Sequence, residues 1–156
     1  MCQRATQRAT TSAPLTWSCT LPAAHASQVG EARRWLARNL GNSPAADDAI
    51  LCASELVTNT ILHSNSRKPG GTFTIRAELH AGDYLCIDVE DSGGPWENHT
   101  HRDGRQHGLG IVNSLATDWG VDGDPLTGWV VWARLDWPQP TAASPASSTR
   151  QPAQGK

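Results

Sequence analysis

Apolar and polar residues alternate in the stretch LTWSCTL, where Leu15, Trp17, Cys19 and Leu21 stand against Thr16, Ser18 and Thr20. A period of two belongs to a strand with one buried face, so the stretch predicts a half-buried β-strand. The period then lengthens. Val29, Ala32, Leu36 and Leu40 recur at helical spacing, with Ser27 placed to cap the helix and Gly41 to stop it. Ser43 and Pro44 predict the start of a second helix, with Asp47 and Asp48 near its positive end. That helix places Ile50, Ala53, Val57 and Ile61 on one face. Two alternating runs follow. TFTIRAEL sets Phe73, Ile75, Ala77 and Leu79 on one side, and YLCIDVED does the same with Leu85, Ile87 and Val89. The HAGD between them predicts an antiparallel hairpin. Beyond a long Gly-, His- and Arg-rich loop at 92–107, LGIVNSLATDW predicts a third helix. A short strand near 119–122 and a last one in WVVWARLDW complete the pattern.

The order β-α-α-β-β-α-β-β predicts an α+β fold. Its natural form is a two-layer α/β sandwich, one mixed, mostly antiparallel sheet with helices on one face, which buries both kinds of apolar stripe. The flanks lack periodicity. Residues 1–13 are polar and 138–156 are rich in Pro, Ala, Ser and Gln, so both predict disordered arms around a domain at 14–137. A formal charge of -2 gives neither a nucleic-acid footprint nor a polybasic membrane patch. No apolar run reaches the ~18 residues that span a bilayer, and the N-terminus has no apolar signal core, so a cytoplasmic protein is expected. The four cysteines show no metal spacing. Cys19, Cys52 and Cys86 fall inside periodic segments, which predicts reduced, buried thiols.

Three features carry candidate chemistry. In SELVTNTILH, Glu55, Asn59 and His63 are spaced four apart and form one polar stripe opposite the apolar face. Such a stripe is either a solvated face or the lining of a site. Asp91 continues the inward parity of Leu85, Ile87 and Val89, and a buried carboxylate needs donors. It can find them in the amides two residues on, as a plain turn, or in a ligand approaching Gly93 and Gly94. HGLGIV places Gly108 and Gly110 at a helix entrance, where free amides favour an anion, although a flexible loop end has the same composition.

Taken in order, these features resemble the ATP-binding fold shared by gyrases, heat-shock chaperones of the ninety-kilodalton class and sensor histidine kinases. The nearest likeness is to its stand-alone branch, the bacterial anti-sigma-factor serine/threonine kinases. SELVTNTILHS resembles the N-box, VEDSGGPW the first glycine box, HGLGIVNSLATDWGV the second, and the likeness covers about 14–137. The resemblance implies ATP and Mg²⁺ as cofactors, with Asn59 as metal ligand and Glu55 as general base or water-orienting group. It implies that Asp91 accepts from the exocyclic amine of adenine. His63, Gly93, Gly94, Arg105, His107, Gly108, Leu109 and Gly110 would complete the nucleotide contacts, and Val130 matches the threonine often found beside the adenine. Phosphoryl transfer asks for such parts: a metal, positioned donors and a base.

The chain departs from the family pattern in two further places. The first box reads D-x-G-G-P instead of D-x-G-x-G, and loop 95–107 is a short lid without lysine. Arg102, Arg105 and His107 could meet phosphate there. His99, His101 and His107 lack the cysteine partners of a zinc site, so a solvated lid is expected. The resemblance implies a kinase acting on a small antagonist protein, with a sigma factor as further partner and a homodimer open. The alternative is a non-catalytic nucleotide-binding module that switches partners. A sensor histidine kinase fragment fits poorly, because no helical hairpin with a phosphoacceptor histidine precedes the domain.

Overall fold

The computed structural model describes residues 13–23, 25–95 and 109–137. The elements run β1 (Leu15–Pro22), α1 (Ser27–Leu40), α2 (Ala46–His63), β2 (Thr72–His80), β3 (Tyr84–Glu90), α3 (Leu109–Leu115), β4 (Asp118–Asp124) and β5 (Gly128–Asp136). Apart from Ala13, the expected arms at 1–13 and 138–156 lie outside the described residues.

The strands form one sheet in the order β1-β2-β3-β5-β4. Every pairing is antiparallel, where the pattern had allowed a mixed sheet. The reason is local: β5 turns back tightly from β4 and enters between β4 and β3, so it runs against both. Register then follows from the apolar alternation, because a slip of one residue would turn each apolar set outward. One inward row reads Trp17, Ala77, Ile87, Ala133, Trp119 across the five strands. Large residues sit on the two edge strands and small ones beside them. On the outer face Trp132 pairs with Gly120, and a Cβ at Gly120 would lie 2.7 Å from the indole, so the glycine makes room for the ring.

Leu36 and Leu40 of α1, Leu56 and Val57 of α2, and Phe73, Ile75, Leu85, Ile87 and Val89 of the sheet build the core. The α2 helix is buried more broadly than its expected stripe. Ala49, Cys52, Ala53, Leu56, Val57 and Thr60 are all buried, because α1 packs on one flank and the sheet and α3 on others. Alanine at these positions lets the layers approach. Glu55 and Asn59 stay half-buried on the remaining side, and His63 is exposed.

Two helix starts differ from expectation. Ala26, with no side-chain bond, holds the cap position before Ser27, and α2 begins at Ala46 instead of Pro44. Ser43 is spent on the preceding turn, where its hydroxyl donates to Leu40 O at 2.6 Å. Gly41 stops α1 as expected, at φ 53°. The third helix ends at Leu115, short of the predicted span, because Thr117 N–H is taken by Arg134 O of β5 at 2.8 Å. Cys19 and Cys52 are free thiols, and burial pushes the Cys52 thiol up to about 11. Cys86 is disulfide-bonded, against the expected reduced state. By strand parity it is buried on the sheet face turned away from the helices, apart from the core cluster that Cys52 shares.

Phe73 is 1% exposed and packs among the largest buried side chains. Phe73→Ala is expected to lower unfolding stability by about 3–5 kcal/mol, read as a lower denaturant midpoint with an unchanged slope.

Candidate functional site

The site forms where three chain segments meet at one end of the sheet. Asp91 extends β3 past its last pair, and its parity carries the side chain inward beside α2. Its backbone N–H donates to Trp129 O at 2.9 Å, and its Oδ1 accepts from Trp129 N at 3.2 Å and from Gly93 N at 2.7 Å. The Ser64 hydroxyl at the end of α2 adds a third donor. Burial raises the Asp91 carboxyl above the ordinary carboxylate value, and the Gly93, Trp129 and Ser64 donors pull it partly back. The carboxylate therefore shapes the turn and also reaches the cleft; the two readings of Asp91 coexist.

The turn after Asp91 is wedged from both sides. Asn65 N–H donates to Gly93 O at 2.7 Å, and Gly94 N–H donates to Pro125 O at 2.9 Å. Ser92 N–H donates to the Ser66 hydroxyl at 2.9 Å, and that hydroxyl donates on to Ser92 Oγ at 3.2 Å. Gly93 has φ 74°, and a Cβ there would lie 2.6 Å from Pro125 O. Gly128 is equally constrained: φ is 127°, and a Cβ would stand 2.4 Å from Asp91 O. Only glycine fits either position.

Between these walls lies a cleft open to solvent, lined by Asn59, His63, Ser64, Asp91, Gly93, Pro95 and Trp129. Four of the residues expected at the site, Asn59, His63, Asp91 and Gly93, thus come together. Gly94 adjoins them, its carbonyl accepting from the Trp129 indole N–H at 2.9 Å. Glu55 lies one turn before Asn59 on the same helix, outside the lining itself. Leu109 and Gly110 open α3, where Leu109 packs against the core. Arg105, His107 and Gly108 lie outside the described residues, as do His99, His101 and Arg102. Val130 is not in the lining. It pairs with Glu90 and shares the outward parity of Trp132, so Trp129 faces the cleft in its place. Counting back by two from Val131 and Ala133 would have found it. Ser64 and Pro95 were also missed; neither carries a sequence signal beyond its place beside His63 and Gly94.

Among the described residues no group of three or more His, Cys, Asp or Glu could hold a metal on protein ligands alone. One amide at Asn59 suits a cation that keeps waters and takes its other ligands from substrate phosphates, the usual arrangement for Mg²⁺. Among the described residues no helix is long and apolar enough to cross a membrane.

A family model for the histidine kinase-like ATPase domain matches residues 21–135. Among curated proteins, none matches the chain. Among solved structures, the chain is similar to the RsbU and RsbW domains of Rv1364c from Mycobacterium tuberculosis, at 21% identity and a TM-score of 0.52. The likeness covers 80% of this chain and 32% of that one, and it is a likeness of fold.

Asp91→Ala is expected to cost about 1–3 kcal/mol relative to Asp91→Asn, because it strands the Gly93 and Trp129 amides while asparagine keeps an acceptor. Because the folded-state value of Asp91 is raised, its ionised form weighs against the fold at neutral pH. That penalty fades as pH falls through the raised value, so wild type gains stability relative to Asp91→Asn on acidification. Denaturant titrations of the three proteins between neutral and mildly acidic pH test both statements.

Proposed function

The chain belongs to the histidine kinase-like ATPase domain family, and from that premise we propose that it is an ATP-binding protein serine/threonine kinase of the anti-sigma-factor type. Its substrate would be a small antagonist protein, and a sigma factor its second partner. The observation that carries the reading is the placing of Glu55 one helical turn from Asn59, beside the cleft that Asp91 closes. A module that only held nucleotide would need the metal ligand and the base contact, but no carboxylate at that position.

Each residue then has a task set by its chemistry. Asp91 offers the cleft a carboxylate acceptor, which suits an exocyclic amine. Asn59 would hold Mg²⁺, which neutralises phosphate charge during transfer. Glu55 takes the proton from the partner's hydroxyl as that oxygen attacks the terminal phosphorus and ADP leaves. Positioning and charge account for most of the work in such transfers.

One observation favours the second reading, a nucleotide-binding module that switches partners without phosphorylating them. Pro95 lines the cleft where the family pattern has glycine, and proline has no N–H to offer a phosphate.

Calorimetry separates the cases. Wild type is expected to bind ATP with Mg²⁺; absence of heat with both ATP and ADP defeats both readings. Glu55→Ala is expected to keep ATP affinity within about threefold while phosphorylation of an antagonist protein drops about 10²–10⁴-fold, the usual contribution of a general base. Asn59→Ala is expected to damage both. Equal phosphorylation by wild type and Glu55→Ala would remove Glu55 from the chemistry, and no phosphorylation by a wild type that binds ATP would favour the module.

A further inference from the structure

Cys86 stands at outward parity on β3, on the sheet face turned away from the helices. The register sets it in one row with Thr16 and Glu78 on one side and Arg134 and Asp118 on the other. A sheet face without helices normally stays wetted, and Thr16, Ser18 and Thr20 on it are exposed. Cys86 is not. It is 4% exposed, and Trp132, diagonal to it on β5, is 8% exposed.

Cys86 is also disulfide-bonded. The chain has four cysteines, and Cys19 and Cys52 are free thiols. Elimination leaves Cys2, which lies outside the described residues. The topology permits the pairing, because the N-terminal arm leaves the sheet at the row that holds Cys86. Thr16 is two strand spacings from Cys86, about 10 Å. An extended residue covers about 3.3 Å, so the stretch from Thr16 back to Cys2 is several times longer than required. Charge agrees as well. The arm MCQRATQRATTS carries Arg4 and Arg8 and no acid. On the outer face Glu78, Asp88, Glu90, Asp118 and Asp122 outnumber Arg76 and Arg134. Burial raises the Asp88 carboxyl, Arg76 draws it partly back, and the positive chain terminus adds to that pull.

We propose that Cys2 and Cys86 form an intrachain disulfide, and that residues 1–12 lie as a strap over the outer sheet face in the oxidised protein and leave it in the reduced one. Closure is thiol–disulfide exchange with a low-molecular-weight disulfide. One cysteine thiolate attacks that disulfide, forms a mixed disulfide and releases a small thiol. The other thiolate attacks the protein sulfur of the mixed disulfide and releases the second small thiol. The two electrons and two protons of the cysteine pair end on those two thiols. Reduction reverses the exchange and bares Trp132. The inference uses nothing from the nucleotide-binding reading.

The full chain and its Cys2→Ser and Cys86→Ser variants can be equilibrated with oxidised glutathione or with dithiothreitol, with thermal melts to check that each folds. After free thiols are blocked, peptide mapping of oxidised wild type is expected to give a linked Cys2–Cys86 peptide that dithiothreitol abolishes. Brief trypsin treatment of the native protein reads the strap. Cleavage after Arg4 and Arg8 is expected to be about tenfold slower in oxidised than in reduced wild type, since protection follows the closed population. Both variants are expected to be cut at the reduced rate in either buffer, and Cys2→Ser does so with the sheet's own cysteine intact. A Cys86 joined to Cys19, to Cys52, to glutathione or to a second copy would overturn the pairing, as would a Cys86 that is alkylated in the oxidised protein. Equal cleavage of oxidised and reduced wild type would overturn the strap, even with the linked peptide found.

Discussion

A carboxylate withdrawn from water has to be solvated by something, and at Asp91 the polypeptide does it. Two backbone amides and one hydroxyl converge on that side chain, from the turn it begins, from β5 and from the end of α2. These are the three segments that frame the cleft. Charge-assisted bonds of this kind are about twice as strong as neutral ones, and their loss leaves buried donors unpaired. The cleft keeps its shape because one ionised group needs all three segments at once.

The rest of the fold brings that group to its place. Alternation along β3 sends Asp91 inward, and the antiparallel insertion of β5 delivers Trp129 opposite it. Broad burial of α2 fixes the helix that carries Glu55 and Asn59, with its alanines allowing α1 and the sheet to close in. The serines after α2 then bond the turn itself, so helix and strand ends are tied side by side.

Much of this was legible in the sequence, for a physical reason. Strands with one buried face declare themselves by a period of two, and β1, β2 and β3 do so plainly. The stripe of Glu55, Asn59 and His63 and the inward parity of Asp91 were equally readable, since each depends only on counting along a regular element. Legibility failed where the outcome depends on what lies across from a residue. Ser27 and Ser43 look like helix starts, yet Ser43 is engaged by Leu40, and no side chain caps α1. Cys86 falls in a periodic segment as Cys52 does, and nothing in the alternation of β3 announces that it is disulfide-bonded. Trp129 was passed over because the family pattern drew attention to Val130, one residue on and therefore on the wrong face.

The inward row of Trp17, Ala77, Ile87, Ala133 and Trp119 has a consequence for how the chain can drift over generations. The three central members are sealed in the core, whereas both tryptophans sit on edge strands and are only partly covered. Cores accept changes that conserve total volume and resist those that do not. A methyl group gained at Ala77 or Ala133 can be taken up by a ring moving outward at the nearer edge, but one gained at Ile87 has nowhere to go. The two edge rings thus act as expansion joints, and substitutions along this row are expected to appear as correlated pairs that each include an outer position.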